Sequence, residues 1–302
     1  MIKNPIQWPN EAKCAVAITF DMDTDSPLHL ALPNRAYRHV SAQSLFRYDE
    51  VAVPRILKMY REFNMRQTFF IPAWCIEKYP KTVEQIVEDG HEIAHHGYLH
   101  EHPNELTKEE EEYWFTKSIE VIKDFTGQRP RGFRAPLYNY SENSTDLLAQ
   151  EGFLYDSSLM ADDVPYLLES KNGKVIELPT HWAVDDWPQY AHFSELDYIM
   201  PIQSPQSAME VFMSEFEAAY EFGGMFIPVW HPFVTGRLSR LRSVYRMLET
   251  MHERGDVWFA TMEDIAQHVQ KCIDERSHTP RVEKMPYYDS PISELSNNPF
   301  KK

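Results

Sequence analysis

Short apolar runs and amphipathic stretches alternate along this chain. Residues 14–20, Cys-Ala-Val-Ala-Ile-Thr-Phe, are continuously apolar and rich in β-branched side chains, the pattern of a strand covered on both faces. Shorter runs at 67–71, 92–94, 132–136, 153–155, 175–178, 225–230 and 257–260 predict further strands. Helical spacing falls between them. A helix is predicted at 51–63, with Val53, Ile56, Leu57 and Tyr60 on its apolar face, and others at 82–88, 105–125, 141–150, 207–222, 238–254 and 262–272. Thr107 and Glu110 read as a capping box and Gly127 as a stop, with Glu109 to Glu112 on a solvated face. Residues 26–50 show little periodicity and read as a long polar loop. Strand and helix alternate with no internal repeat or compositional break, which predicts one α/β domain over 1–275. Its parallel sheet is wrapped by helices, open or closed into a barrel. The tail, 276–302, is polar and proline-dotted, so it is expected to be disordered or to pack as an arm on a neighbouring subunit.

Composition narrows the function classes. The 302 residues are 43% hydrophobic, enough to bury a large core. The formal charge of −16 argues against nucleic acid and against an anionic membrane surface, both of which call for a basic footprint. The first residues lack the apolar run of a signal peptide, and no segment approaches the ~18 apolar residues of a membrane span. Cys14, Cys75 and Cys272 are odd in number and far apart, as buried thiols of a cytoplasmic protein would be.

Candidate chemistry gathers at the ends of the predicted strands. Residues 91–103 hold five of the chain's 13 histidines: His91, His95, His96, His100 and His102. Four residues of extended chain would separate His96 and His100 by roughly 13 Å. A turn hinged at Gly97 brings both imidazoles to one side, within reach of a single metal ion. His91 and His102 read as bystanders. Asp21 and Asp23 follow the first strand, and alternation sends both to the same side. Two adjacent carboxylates call for a cation or a shared proton, unless they merely form an acidic turn or a helix cap. In a (β/α) barrel, catalytic groups sit where strands end, and Asp21/Asp23, His95/His96/His100, Arg134, Asp156 and His231 all fall on such ends.

One carboxylate and two histidines with open positions make a catalytic metal site. On this reading Asp23, His96 and His100 are ligands of one divalent ion, zinc in the first place, with cobalt, manganese and iron suiting the same donors. Asp21 is the base that takes a proton from an attacking water, and His231 the acid that protonates a departing nitrogen. Arg134 pairs with Asp21, or else forms a surface salt bridge, and His231 has a plain core role as its alternative.

These residues resemble the polysaccharide deacetylase superfamily, the NodB-homology hydrolases of carbohydrate esterase family four, over roughly 14–270. Thr19-Phe20-Asp21-Met22-Asp23 is similar to the family's Thr-Phe-Asp-Asp-Gly, with the aspartates one residue further apart and the glycine lost. His96-Gly97-Tyr98-Leu99-His100 matches His-Ser/Gly-x-x-His, and Arg134-Ala135-Pro136 matches Arg-x-Pro. Tyr155-Asp156-Ser157-Ser158 represents the fourth motif loosely, and of Leu-x-His only His231 remains. The spaced Asp-x-Asp and the insertion after it resemble an intracellular branch of cyclic-imide hydrolases, allantoinase-like proteins and the Helicobacter peptidoglycan deacetylase. Phrases such as Glu177-Leu178-Pro179-Thr180-His181-Trp182 with Asp185-Asp186 read the same way.

The resemblance implies a distorted (β/α) barrel of about seven parallel strands, the same divalent metal, and a homo-oligomer, often a tetramer. It also implies a backbone N–H near Tyr138 as a second oxyanion contact. Asp156 and the aromatic stretch 166–198, with Trp182 and Trp187, are candidate substrate contacts, although that stretch could equally be a packed loop at a subunit interface. The favoured reaction is hydrolysis of a small cyclic amide or imide. Removal of an N-acetyl group from an amino sugar or peptidoglycan fragment comes next, and a non-catalytic ligand- or carbohydrate-binding protein last. Asp21→Asn separates the classes, because a binder keeps its affinity and an enzyme loses turnover.

Overall fold

The computed structural model describes residues 2–288 and 290–292. Its main sheet runs in the order Val229–Trp230, Thr19–Asp21, Thr68–Ile71, Glu92–His95, Gly132–Phe133, Tyr155–Asp156, Gly173–Glu177, Tyr166–Ser170, Val282–Lys284. The first seven pair parallel in succession, and only the hairpin of Tyr166–Ser170 with Gly173–Glu177 is antiparallel. Beyond that seventh strand the chain returns, and Asp185 bridges Val229 in parallel on the far edge. The sheet therefore curls towards closure, the distorted barrel that the strand–helix alternation and the resemblance imply.

Two predicted strands are each divided. Cys14–Val16 lies between Met225–Phe226 and Val257–Phe259 in a separate three-stranded sheet, while Thr19–Asp21 and Val229–Trp230 pair in the main one. Pro228, which has no N–H to give a ladder, stands at the crossing, and its carbonyl accepts from Thr19 Oγ1 at 2.6 Å. At the same break Ile18 N–H donates to Gln67 Oε1 at 2.5 Å, and Tyr60 Oη donates to the Ile18 carbonyl at 2.7 Å. Side chains thus satisfy the backbone groups that the interrupted ladder leaves buried.

The predicted capping box on Lys108–Thr126 is present, and Gly127 ends the helix at φ 78°. Its glutamate run departs from a uniformly solvated face. Glu111 is buried and accepts from Ser141 Oγ and Ser144 Oγ, which offset its lost hydration. The expected loop at 26–50 contains Ser26–Ala31, a 3₁₀ turn at Ala36–Arg38, and Val40–Phe46. It buries Leu28, Ala36, Ala42 and Phe46, and the Phe46 ring sits 5.2 Å from Phe193 and 4.9 Å from Phe233. Part of the tail also has a place in this chain. Val282–Lys284 extends the main sheet beside Tyr166–Ser170, whereas 293–302 lie outside the described residues.

Candidate active site

Four strand ends converge. Thr19–Asp21 delivers Asp21 and, two residues on, Asp23; Glu92–His95 delivers His96, Gly132–Phe133 delivers Arg134, and Val229–Trp230 delivers His231. Asp23 Oδ1 lies 3.5 Å from His96 Nε2, and Asp23 Oδ2 lies 3.4 Å from His100 Nε2. One donor atom from each of the three falls within 4.8 Å of the others. Both Asp23 oxygens are buried without a conventional hydrogen-bond donor. Burial alone would push this carboxyl up, but His100, then His96 and His231, hold it below the usual carboxylate range. Two buried lone-pair-rich oxygens facing two imidazole nitrogens fit a divalent cation in chemical type and in spacing.

The histidines are aimed by their surroundings. His96 Nδ1 donates to the Arg134 carbonyl at 2.7 Å, which leaves Nε2 as the free donor atom. Gly97 turns the chain at φ 74°, and a Cβ there would stand 3.0 Å from Glu101 Oε1. Glu101 accepts from the amides of Tyr98 at 2.8 Å and Leu99 at 2.7 Å, and His100 follows at φ 65°. The His95 ring stacks on Phe115 with centroids 4.4 Å apart, a packed core histidine outside the cluster. His91 accepts from the Gln67 amide and also serves the core, while the His102 ring lies 6.2 Å from His100.

Arg134 is fully buried and not a surface bridge. Its Nη1 donates to Asp21 Oδ1 at 2.6 Å and to Thr19 Oγ1 at 3.0 Å, Nε and Nη2 reach Ser157, and the guanidinium lies 3.9 Å from the Phe70 ring centroid. Asp21 Oδ2 stays 3.7 Å from His96 Nε2, so one carboxylate oxygen is anchored and the other faces the cluster.

His231 faces the same centre, with Nε2 3.5 Å from Asp23 Oδ2. Its Nδ1 donates to Asp186 Oδ1 at 2.7 Å, and its amide donates to Asp186 Oδ2 at 3.0 Å. Burial works against a charged ring, yet Asp186, with Asp23 and Asp185 adding, pushes its pKa up to about 10. Asp185, Asp186 and His231 are a second group with metal-like spacing, but the short bond from Nδ1 makes it an orienting pair. Asp185 accepts from Tyr138 Oη at 2.6 Å, and burial pushes its carboxyl up to about 7.

The four expected substrate contacts, Tyr138, Trp182, Trp187 and Asp156, divide. Tyr138 is half-buried, Trp182 is 43% exposed, and their rings meet at 4.7 Å on the rim. Trp187 is buried, its ring 4.8 Å from that of His231. Asp156 does not line the site. It is fully buried, accepts from Ser158 Oγ and the Ser158 amide, and so braces the Ser157–Ser158 segment that holds Arg134 and Ala135. The Tyr138 amide donates to the Ala135 carbonyl at 2.9 Å, within the turn that follows Arg134. Asp186 and Glu101 carry no role in the sequence reading; an acidic pair just before a tryptophan, and an acid just after a ligand, were the available signals.

Residues 10–155 match the family model described as polysaccharide deacetylase. A peptidoglycan deacetylase of Helicobacter pylori is 30% identical over 248 residues, covering 74% of this chain and 85% of that one. The crystal structure of a Mycobacterium smegmatis protein assigned to the polysaccharide deacetylases superposes with a TM-score of 0.88 at 37% identity, covering 95% and 99% of the two chains. PuuE allantoinase shares the fold, with a TM-score of 0.76 at 24% identity over 89% of this chain and 95% of its own.

Proposed function

From the premise that this chain belongs to the polysaccharide deacetylase family of metal-dependent hydrolases acting on amide C–N bonds, we propose that it opens a small cyclic amide or imide. The observation that carries this reading is enclosure. None of Asp21, Asp23, His96, His100 and His231 is more than 6% exposed, and aromatic side chains stand at the rim and behind the acid. A substrate small enough to enter whole suits such a site better than a polymer laid across it.

Asp23, His96 and His100 would hold one divalent cation, zinc in the first place. When bound, it supplies Lewis-acid polarisation of a carbonyl and a water acidic enough to attack near neutral pH. Asp21, held by Arg134 and turned towards the cluster, takes the proton of the attacking water. His231 keeps Nε2 towards the site because Asp186 occupies Nδ1, and from Nε2 it gives a proton to the leaving nitrogen. Arg134 is fully buried and gives four of its five N–H groups to protein acceptors, so its charge orients Asp21.

The description of the Helicobacter relative as a peptidoglycan deacetylase favours a second reading, removal of an N-acetyl group from an amino-sugar fragment. Initial rates on cyclic imides, hydantoins, allantoin and N-acetylglucosamine oligomers separate the two. Ring opening at a kcat/KM at least about tenfold above acetate release supports the first, and the reverse order replaces it with the second.

A cytoplasmic setting belongs to the same proposal. Cys14, Cys75 and Cys272 are free and buried, and among the described residues no helix is long and apolar enough to cross a membrane. We also place the protein in a homo-oligomer, tetrameric on the family's pattern, which light scattering coupled to size exclusion tests.

A further inference from the structure

The segment between the Asp-x-Asp turn and the first long helix carries a buried acid that the reaction itself does not use. Asp49 opens the helix Asp49–Glu62 and is fully buried. Its Oδ2 accepts from the Thr24 amide at 3.1 Å. Thr24 directly follows the candidate ligand Asp23 and adopts φ 47°, a left-handed conformation that a β-branched residue rarely holds without outside support. Its other oxygen, Oδ1, is buried without a conventional hydrogen-bond donor, and the helix that Asp49 opens packs on the segment that follows the candidate acid His231. One helical turn further on, Ala52 packs against Gly236 so closely that a Cβ on the glycine would stand 2.5 Å from the Ala52 Cβ. The start of this helix is therefore wedged between the two loops that bring ligand and acid together.

We propose that Asp49 is a positioning residue, which holds the metal-ligand turn at Thr24 in its left-handed conformation and seats it against the general-acid loop at 231–236. The inference rests on the roles proposed for Asp23 and His231. Its physical basis is a buried acceptor that replaces the water a strained turn would otherwise need, since an unpaired buried amide is costly. Asp186 braces His231 through the imidazole, the amide and Thr235 Oγ1. Two acids from distant parts of the sequence thus brace the pair of loops, Asp49 at Thr24 and Asp186 at His231 and Thr235.

Zinc alone is the probe, titrated into the purified full-length chain by competition with a chelating dye, with folding followed by circular dichroism. Asp49→Ala weakens zinc binding by about tenfold or more, the usual cost of losing a group that orients a ligand, whereas Asp49→Asn, which keeps an acceptor oxygen, stays within about threefold. Thr24→Gly placed on Asp49→Ala recovers most of the loss, because glycine takes positive φ without support. Two results overturn the inference. One is a folded Asp49→Ala that binds zinc like the wild type. The other is an Asn variant as weak as the Ala variant, with no recovery from Thr24→Gly. Wild-type protein that fails to bind zinc would remove the metal-site reading, and this inference with it.

Discussion

His231 and Asp21, the proposed acid and base, lie at similar depths, and each is held by one charged neighbour. Asp186 fixes the His231 ring by its Nδ1, so Asp186→Asn would present an amide where a carboxylate now stabilises the imidazolium. Turnover should fall by about 10²–10⁴-fold while zinc content stays at the wild-type level, measured by steady-state kinetics alongside metal analysis. Asp21→Asn should give the same separation of turnover from metal content, because Asp21 is tied to Arg134 and lies outside the ligand trio. An equal loss of metal in either variant would make these residues ligands or structural supports. At this scale the side chains that the fold brings together, Asp21, Asp23, His96, His100, Arg134 and His231, were legible because each has a chemical type at or just after a strand end. Asp186, Asp49 and Glu101 were not. A single acid in a polar stretch has no periodicity, and only the folded chain shows which amide or imidazole it faces.

The turn 96–100 is the element on which the candidate metal site depends, and its geometry leaves little room for change. Gly97 at φ 74° with Glu101 and Pro136 close by makes Gly97→Ala a double fault, of backbone conformation and of space. A loss of about 1–2 kcal/mol in unfolding free energy is expected, together with weaker zinc binding, read by urea denaturation and zinc titration. Unchanged stability would mean that the turn can open without cost. Periodicity revealed the long elements well, because helices such as Lys108–Thr126 bury one stripe and carry their own caps. The 26–50 segment escaped that reading. Its helices are too short to show a period, and they bury scattered residues such as Leu28 and Phe46. The division of residues 14–20 between two sheets was equally hidden, since a continuous apolar run looks the same whether or not its partners change midway.

For the whole molecule, buried histidines set the response to acid. Burial lowers the His95 pKa to about 3 and the His91 pKa to about 4. Unfolding exposes both to water, where they bind protons near pH 6.5, so the unfolded state gains protons first as pH falls. Stability from each is complete above about 6.5 and declines by about 1.4 kcal/mol per pH unit until the folded pKa is reached. Glu92, pushed up to about 7 by burial, acts in the opposite direction, so the test is a difference. Between pH 6.5 and 4 the wild type should lose roughly 3 kcal/mol more than His95→Asn, measured by denaturant unfolding at each pH. Parallel curves would contradict a neutral His95 in the folded core.

The central proposal is a metal-dependent opening of a small cyclic amide or imide by Asp21 and His231 around Asp23, His96 and His100. Proton NMR of the zinc-loaded protein with a cyclic imide, run beside the chelated protein and Asp23→Ala, tests that claim most directly. Ring-opened product from the zinc-loaded enzyme, absent from the other two, is the predicted result. An intact ring in all three, with acetate released from N-acetylglucosamine oligomers by the zinc-loaded enzyme, would contradict it.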